Sequence, residues 1–483
     1  MHSRTPPRVN HHKVVISAPS GYPRDVSGSD ILAIVYYIAL VPVAVMAAAT
    51  VAITALGLRS KPSGVAIPQT VDPGELPFVS VQIPVFNDPV AVRCVEACLS
   101  FVYPASRYEI MILDDSNDPE TTRLLSNIAE LNPGRVVLVR RTRRTGYKPG
   151  ALVAAMPLTR GELIAIFDAD FVPAPDLLGA LVAPFSDRRV AIVQGRQGFL
   201  NAHQGIVARF ASYLLAVQHH VIMPVAAQYN AVLFCGTAGV LRRLAIDDAG
   251  GWNTGSVTED SDLSVRILAR GWKSIYLPKE TPSELPTTLP AFLKQQTRWC
   301  FGGLRVFIDH ASLILVKPGL RVPQRAILTY FTLGNVAPVS AAAMTLAGLA
   351  AWIFVAWNIV SGAVPRGGID GSLGLACTGG FLSVAGVALH RSRRLRELPW
   401  LMLSACSVAL VLAFANAGAA VRALLLARRP LFEGTSWVCT PKIGNAAYAN
   451  ATPQNRREDV TMPSSNCCSI AMSATGTSTA LRG

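Results

Sequence analysis

The stretch "FVSVQIPVFNDPVAVRCVEACLSFVYPASRYEIMILDDS" (residues 78–116) decides the fold class of this chain. It begins with an apolar run at 78–86, which is typical of a buried strand, and ends with a second such run at 108–116. Between them, residues 89–101 have the periodicity of an amphipathic helix. Further apolar runs predict two more strands, at 135–141 and 162–170. Strands separated by helices indicate a mostly parallel, Rossmann-like α/β sheet.

The composition indicates a protein that is partly embedded in a membrane. Hydrophobic residues make up 51% of the 483 residues and charged residues only 15%, which is too apolar for an ordinary soluble protein. The net charge of +14 favours contact with anionic lipid or with a sugar-nucleotide donor. Nucleic acid is not an expected partner, because the basic residues are not interleaved with aromatic ones.

Uncharged apolar runs flank the α/β region, and each is long enough for the roughly 20 helical residues that cross a bilayer. They are Ile31–Leu58, Ala326–Val360, Gly371–Leu389 and Leu398–Val421. The second run is too long for one straight crossing, so Gly334-Asn335 and Pro338 are expected to divide it. The arginine-rich loop at 390–397 is expected to be cytosolic by the positive-inside rule.

These runs predict the domain organisation of the chain. A tail at 1–30 precedes a transmembrane helix at 31–58, and the α/β domain occupies 75–320. Two transmembrane helices are expected within 326–389, and 398–430 is either a transmembrane or an interface helix. The remaining segments are a short region at 431–445 and a polar tail at 446–483, which is expected to be disordered.

Acid pairs follow two of the predicted strands, where ligands bind on parallel sheets. Asp168 and Asp170 in "FDAD" are one residue apart, so strand alternation puts both carboxylates on the same side, able to share a divalent cation and a diphosphate. Such acids are also common in simple strand-to-loop turns. Asp114 and Asp115 in "LDDS" could bind a nucleotide or cap the next helix.

Helix starts provide two further candidates. Lys148 in "TGYKPGAL" is positioned to bind a phosphate, although such a lysine is more often solvated. In "VTEDSDL", Thr258 is a plausible N-cap residue with Glu259 and Asp260 in the first helical turn. That pattern is ordinary helix-start chemistry, but an acid at this position can also act as a general base towards a sugar hydroxyl.

The motif "QQTRW" (295–299) is the most specific of these patterns. Arg298 can bind an oxyanion through two hydrogen bonds, and Trp299 offers a flat face for a sugar ring. A belt of aromatic residues at a membrane surface would explain Trp299, but not Gln295 and Arg298 at fixed spacing.

The motifs occur in the order D-D, D-x-D, T-E-D and Q-x-x-R-W, followed by apolar helices. This order resembles the processive family 2 glycosyltransferases, the cellulose synthases and the cellulose-synthase-like mannan and glucan synthases, over about residues 75–445. The resemblance implies a GT-A catalytic domain combined with transmembrane helices. It also implies inverting transfer of a sugar from UDP-glucose or GDP-mannose to a growing β-linked polysaccharide, coupled to export. The alternative is transfer of a single sugar to a lipid acceptor. The expected location is a bacterial inner membrane, with several crossings, lipid contacts and a cytosolic catalytic domain.

The resemblance also implies a role for each motif residue. Asp260 would be the general base, with Glu259 beside it. The donor-binding residues would be Asp114, Asp115, Lys148, Asp168, Asp170 and Arg298, with Mg²⁺ or Mn²⁺ at Asp168 and Asp170. The acceptor-binding residues would be Cys235, Gly236, Thr237, Gln295 and Trp299. A gating loop at 431–445 would contribute Trp437, Thr440 and Lys442, although Cys439 departs from the family pattern there.

Overall fold

The computed structural model describes residues 28–59, 76–334, 337–360 and 372–426. Several sequence predictions lie outside these residues. They concern the tail up to residue 27, the gating-loop segment at 431–445 with Trp437, Thr440 and Lys442, and the tail at 446–483.

The α/β domain contains a sheet of seven strands. They are β1 (Val79–Val85), β2 (Tyr108–Asp114), β3 (Val136–Arg140), β4 (Leu163–Ile166), β5 (Val190–Phe199), β6 (Gly239–Arg242) and β7 (Lys273–Ser283). The spatial order is β3-β2-β1-β4-β6-β5-β7. Strand β1 pairs in parallel with β2 and β4, β2 with β3, and β5 with β7. The prediction of a mostly parallel sheet is therefore confirmed, and β6 is the strand that runs antiparallel to its neighbours β4 and β5.

The core of the domain covers both faces of this sheet. Within β2, Ile110 and Ile112 pack on one face with Phe167, whereas Met111 and Leu113 pack on the other. This is the alternation that a strand imposes on successive side chains. Because both faces are covered, the strand is a continuous buried apolar run rather than an alternating one.

Helices of the α/β domain surround the sheet. They are α2 (Ala91–Leu99), α3 (Pro119–Glu130), α4 (Tyr147–Ala155), α5 (Leu177–Val182), α6 (Gly205–Val217), α7 (Met223–Gln228), α8 (Arg243–Asp248), α9 (Glu259–Ala269) and α10 (Leu289–Leu315). A π-helical turn, Gln218–Ile222, joins α6 to α7. Helix α3 shows how local sequence sets a boundary, because Pro119 occupies its first turn and the Asp118 carboxylate accepts a hydrogen bond from Thr121 N at 2.8 Å.

The remaining helices precede and follow the α/β domain. They are α1 (Gly28–Arg59), α11 (Val322–Leu333), α12 (Ala337–Val360), α13 (Ser372–Arg391), α14 (Leu398–Ser404) and α15 (Leu410–Leu425), the last two joined by a π-helical turn, Ala405–Ala409. The predicted division of the long apolar run at Gly334 is seen between α11 and α12. Helix α1 packs against α12 and α13, and α15 packs against α10 and α12.

Three helical segments among the described residues are long and apolar enough to cross a membrane. They are Ala33–Arg59, Gly205–Gln228 and Leu395–Leu425. The first and third correspond to runs identified in the sequence, whereas Gly205–Gln228 was not identified. This segment is also the most enclosed by the rest of the protein. In its apolar stretch 56% of the residues are buried, compared with 17% in that of Leu395–Leu425.

The arginine-rich loop at 390–397 lies against helix α6 of the α/β domain. Arg394 donates a hydrogen bond to Ser212 Oγ at 2.9 Å, and Tyr213 donates its hydroxyl hydrogen to Glu397 at 2.9 Å. Arg394 and Glu397 also form an ion pair at 2.7 Å. The loop is therefore held against α6 by hydrogen bonds.

Candidate active site

A cavity at the carboxyl ends of β1 and β4 brings most of the predicted site residues together. Those that line it are Asp115, Lys148, Asp168, Asp170, Cys235, Gly236, Thr237, Glu259, Asp260, Gln295, Arg298 and Trp299. They come from positions almost 200 residues apart in the sequence, so the motifs form one site only because the sheet and its helices assemble them.

Asp114 is a predicted donor-binding residue that does not line this cavity. Its buried carboxylate accepts hydrogen bonds from Arg140 Nε at 2.8 Å and from Ser116 N at 2.9 Å. Asp115, the next residue, lines the cavity and is held by Arg141 through two hydrogen bonds of 2.6 and 2.5 Å. The two acids of the D-D motif therefore face different surroundings.

The D-x-D acids lie in a turn after β4, since this strand ends at Ile166 and is shorter than the predicted 162–170. Strand alternation therefore does not explain why Asp168 and Asp170 share a cavity. Instead, Phe171 N donates to Asp168 O at 3.1 Å and closes the turn. Asp168 N donates to Thr237 Oγ1 at 2.9 Å, and Asp170 Oδ2 accepts from Glu284 N at 3.0 Å.

Asp168 and Asp170 fit a divalent cation that binds together with a diphosphate. The part of the chain that the structure describes holds no cluster of three or more metal-ligating side chains. Magnesium, however, is commonly held by one or two carboxylates and completes its shell with substrate phosphates and water. Two carboxylates lining a cavity match that pattern, whereas they would not match a fully protein-built metal site.

Lys148 is the cation that connects the D-x-D and T-E-D motifs. Gly146, at φ +70°, starts α4 and places Lys148 in its first turn. The ammonium donates to Asp168 Oδ1 at 2.6 Å and to Gly236 O at 2.9 Å. Burial lowers the pKa of Lys148, but attraction to Asp168, Glu259 and Asp260 outweighs it and raises the pKa overall. The ammonium therefore stays charged in the cavity.

The T-E-D motif begins helix α9, with Thr258 at the N-cap position and Glu259 first in the helix. Thr258 occupies the predicted N-cap position, but its Oγ1 makes no cap hydrogen bond and has no hydrogen-bond partner among the described residues. Burial raises the pKa of Glu259 to about 7, with Lys148 opposing the shift and Asp260 adding to it. Burial also raises the pKa of Asp260, which makes this carboxylate a stronger base than an exposed aspartate.

Gly236 brings the main chain close to the T-E-D acids. Its φ of +80° is a left-handed conformation, and a Cβ atom there would lie 2.9 Å from Asp260 Oδ2. The preceding Cys235 is held by a hydrogen bond from its N–H to Gln194 Oε1 at 2.8 Å. Burial raises the pKa of Cys235 to about 12, so this thiol is neutral.

The Q-x-x-R-W motif lies on α10, where the spacing of Gln295, Arg298 and Trp299 puts all three on one helix face. That face lines the same cavity as the D-x-D turn, and Trp299 is 36% exposed. Helix α10 lies directly against the start of α9, since a Cβ atom on Gly302 would approach Thr258 Cγ2 to 2.3 Å.

The sequence did not identify three further charged residues of the cavity, Asp88, Glu284 and Arg144. Glu284 follows β7 and is 8% exposed; its carboxylate accepts from Arg93 at 2.9 Å, and Arg93 also donates to Asp170 O at 3.2 Å. Arg144 places its guanidinium 3.3 Å from the centre of the Phe86 ring. For Glu284, the only signal in the sequence is its position after a strand. Strand β7 itself was not predicted from the sequence.

Comparisons with known proteins agree with this architecture. Residues 77–302 match the model of the glycosyltransferase like family 2. Relatives include a probable glucomannan 4-beta-mannosyltransferase 7 of Oryza sativa subsp. japonica, 36% identical over 275 residues, which are 53% of this chain and 46% of the relative. The glucomannan 4-beta-mannosyltransferase 7 of Arabidopsis thaliana is 38% identical over 250 residues, covering 50% and 45%. The chain thus spans about half the length of these curated relatives.

A similar solved structure is that of the mannosyltransferase PcManGT from Pyrobaculum calidifontis in complex with GDP-Man and Mn²⁺. The TM-score is 0.53 at 20% identity, covering 78% of this chain and 99% of that one. At this identity the likeness shows the fold alone, and it agrees with the predicted GT-A architecture. Residues 77–302 thus match the glycosyltransferase like family 2, in agreement with the motifs, and their fold is of the GT-A type.

Proposed function

We propose that this protein is a membrane-embedded inverting glycosyltransferase, which moves a hexosyl group from a nucleotide sugar to a growing β-linked polysaccharide and couples this to export. One observation carries the proposal. Acids suited to a cation and a diphosphate, a buried base and the Q-x-x-R-W helix face all line one cavity. Helix α10, which bears that face, packs directly against the apolar helix α15, so the product would leave the cavity beside the membrane part.

The donor diphosphate would lie between Asp168, Lys148 and Arg298. A Mg²⁺ or Mn²⁺ ion held by Asp168 and Asp170 would neutralise charge on the diphosphate leaving group. Lys148 and Arg298 supply fixed positive charge to the same group, and they do so in a buried site where such interactions are stronger than in water. Asp115 would contact the nucleoside end of the donor.

Asp260 would act as the general base. A sugar hydroxyl is a poor nucleophile, so its proton must move to a carboxylate while the oxygen attacks the anomeric carbon. Attack on the side opposite the departing diphosphate inverts that carbon and gives a β-linkage from an α-linked donor. Trp299 would stack against the acceptor sugar, with Gln295 beside it and Cys235, Gly236 and Thr237 on the other wall.

GDP-mannose is the donor that we propose, with UDP-glucose as the alternative. The relatives are named for 4-β-mannosyl transfer, and the similar solved structure holds GDP-Man with Mn²⁺. The protein would span the membrane several times with its α/β domain in the cytosol, where nucleotide sugars are made. Lipid would contact the outward-facing side chains of α1, such as Ile38, which is 68% exposed. The comparisons do not support the bacterial inner membrane that the sequence suggested, so we do not retain it.

The test is incubation of the purified full chain in lipid nanodiscs with labelled GDP-mannose or UDP-glucose and Mn²⁺. We expect a labelled polymer that increases in length with time and is cut by an endo-β-mannanase. A product of one sugar on extracted lipid would support the glycolipid alternative instead. Absence of transfer from every nucleotide sugar offered would refute the proposal.

A further inference from the structure

Helix α9 presents acids to two different sides. Asp260 and Asp262 are two residues apart, which is roughly 200° around a helix, so they face nearly opposite directions. Asp260 lines the cavity, whereas Asp262 is 2% exposed and contacts His310 of α10, with His310 Nε2 and Asp262 Oδ2 2.6 Å apart. The motif that supplies the base therefore also supplies a buried contact to the helix that bears Q-x-x-R-W.

The Asp262 carboxylate is fully engaged in this contact region. Oδ1 accepts from Arg266 Nε at 3.0 Å and Nη2 at 2.7 Å, and Oδ2 lies 3.3 Å from Asn253 Nδ2 as well as against His310. Burial alone would raise the pKa of Asp262, but the His310 hydrogen bond and Arg266 lower it overall. Removing one partner of a buried, ionised carboxylate strongly destabilises a protein. The contact between Asp262 and His310 is therefore strongly favoured.

Helix α10 changes direction at this contact. His310 has non-helical angles, φ −116° and ψ 15°, inside an otherwise helical run, and it lies eleven residues after Trp299. Eight residues before it, Gly302 packs tightly against Thr258 at the start of α9. The two helices are thus joined at two points about 12 Å apart along α10. Two separate contacts define the rotation of one helix against the other, which a single contact does not.

We propose that His310 is a positioning residue for sugar transfer. By holding Asp262, it fixes the rotation of α9 and therefore the position of the Asp260 carboxylate relative to Arg298 and Trp299. This inference rests on the proposed function, because it assigns no role to His310 outside the transfer step.

Donor binding should not depend on this contact. Asp168 and Asp170 lie in the turn after β4, Lys148 is on α4 and Arg298 is on α10, so none of these donor-binding residues is carried by α9, the helix whose rotation the contact sets. Loss of the contact should therefore slow transfer while leaving affinity for the nucleotide sugar in place. A residue that merely held the fold together would affect both.

The test compares His310→Ala, His310→Asn and His310→Gln in the full chain in nanodiscs. A glutamine amide can reach Asp262, whereas the shorter asparagine cannot. The matched control is Arg270→Ala, which removes the 2.7 Å pair with Asp248 at the other end of α9. We measure kcat, the KM for the donor, and the affinity for GDP by calorimetry.

We expect kcat to fall about 10- to 100-fold in the alanine and asparagine variants, the scale of a displacement of up to 1 Å. Glutamine should restore most of it, and the KM, the affinity for GDP and the control should be unchanged. If the alanine variant does not fold, the asparagine and glutamine pair decides. The inference is overturned if the asparagine and glutamine variants have equal kcat, or if the affinity for GDP falls together with kcat. Neither result affects the proposed function, provided that the wild-type protein transfers sugar. A wild-type protein that transfers no sugar overturns the proposed function, and this inference with it.

Discussion

Replacement of Gly236 by alanine tests the position of the base directly. Its φ of +80° costs an alanine about 1–2 kcal/mol, because a Cβ atom crowds the backbone in this conformation. The new Cβ atom would also lie 2.9 Å from Asp260 Oδ2, whereas ordinary contact begins at 3.4 Å. The carboxylate must therefore move by about 0.5 Å. Since a 1 Å misplacement costs on the order of 100-fold in rate, we expect about a 10-fold loss of kcat.

Gly134 provides the matched control for this experiment. Its φ is +79°, but a Cβ atom there meets nothing within 4 Å. Gly134→Ala therefore carries the same backbone cost without a displaced carboxylate. The assay is the initial rate of labelled polymer formation, with GDP affinity and thermal unfolding measured in parallel. Equal rates in the two variants would refute the assignment of Asp260 as the base, because displacement of its carboxylate would then have no effect on transfer.

Three motif residues and the cation give the remaining predictions. Asp260→Asn should keep donor binding and lose transfer by about 10²- to 10⁴-fold, as measured by calorimetry and initial rates; unchanged turnover would assign the base elsewhere. Excess chelator should abolish transfer, and full turnover in its presence would contradict the metal assignment. Glu259, with a pKa of about 7, becomes neutral as the pH falls below 7 and then repels a diphosphate less, so nucleotide-sugar affinity should increase towards acid pH. Glu259→Gln should remove this dependence, and its persistence would place the titrating group elsewhere. Trp299→Ala should shorten the polymer while donor hydrolysis by water survives better, as product sizing would show; normal product length would make Trp299 a membrane anchor.

Features with a local cause were predicted from the sequence. The parallel strands β1 and β2 are buried, mostly apolar runs with a helix between them, and Gln295, Arg298 and Trp299 share a face because of helical spacing alone. Asp115 and the D-x-D turn meet in the cavity because the parallel strands β2 and β4 end at one edge of the sheet. Such features need no knowledge of distant contacts.

Features that depend on distant contacts were missed. Strand β6 has four residues. It forms only by pairing with residues 163–166 of β4 and 192–194 of β5. Segment Gly205–Gln228 is interrupted by Arg209 and by the polar residues 218–220, so the sequence shows no long apolar run there, although the segment is apolar enough to cross a membrane. The sequence around Thr258 is typical of a helix N-cap. However, Gly302 of α10 packs against the Thr258 side chain, and this side chain makes no capping hydrogen bond.

The charge of the cavity explains why the proposed mechanism uses a divalent cation together with Lys148 and Arg298 to bind the diphosphate. Its lining includes seven carboxylates against three basic side chains, Arg144, Lys148 and Arg298. Ion pairs from Arg141 and Arg93 balance two of these acids, Asp115 and Glu284. A diphosphate that enters such a cavity meets more negative than positive charge, so it binds well only if positive charge comes with it. A divalent ion held by Asp168 and Asp170 would supply that charge, in addition to Lys148, which is attracted to Asp168, Glu259 and Asp260. The same acids that would repel a bare diphosphate would thus favour the donor in its metal-bound form.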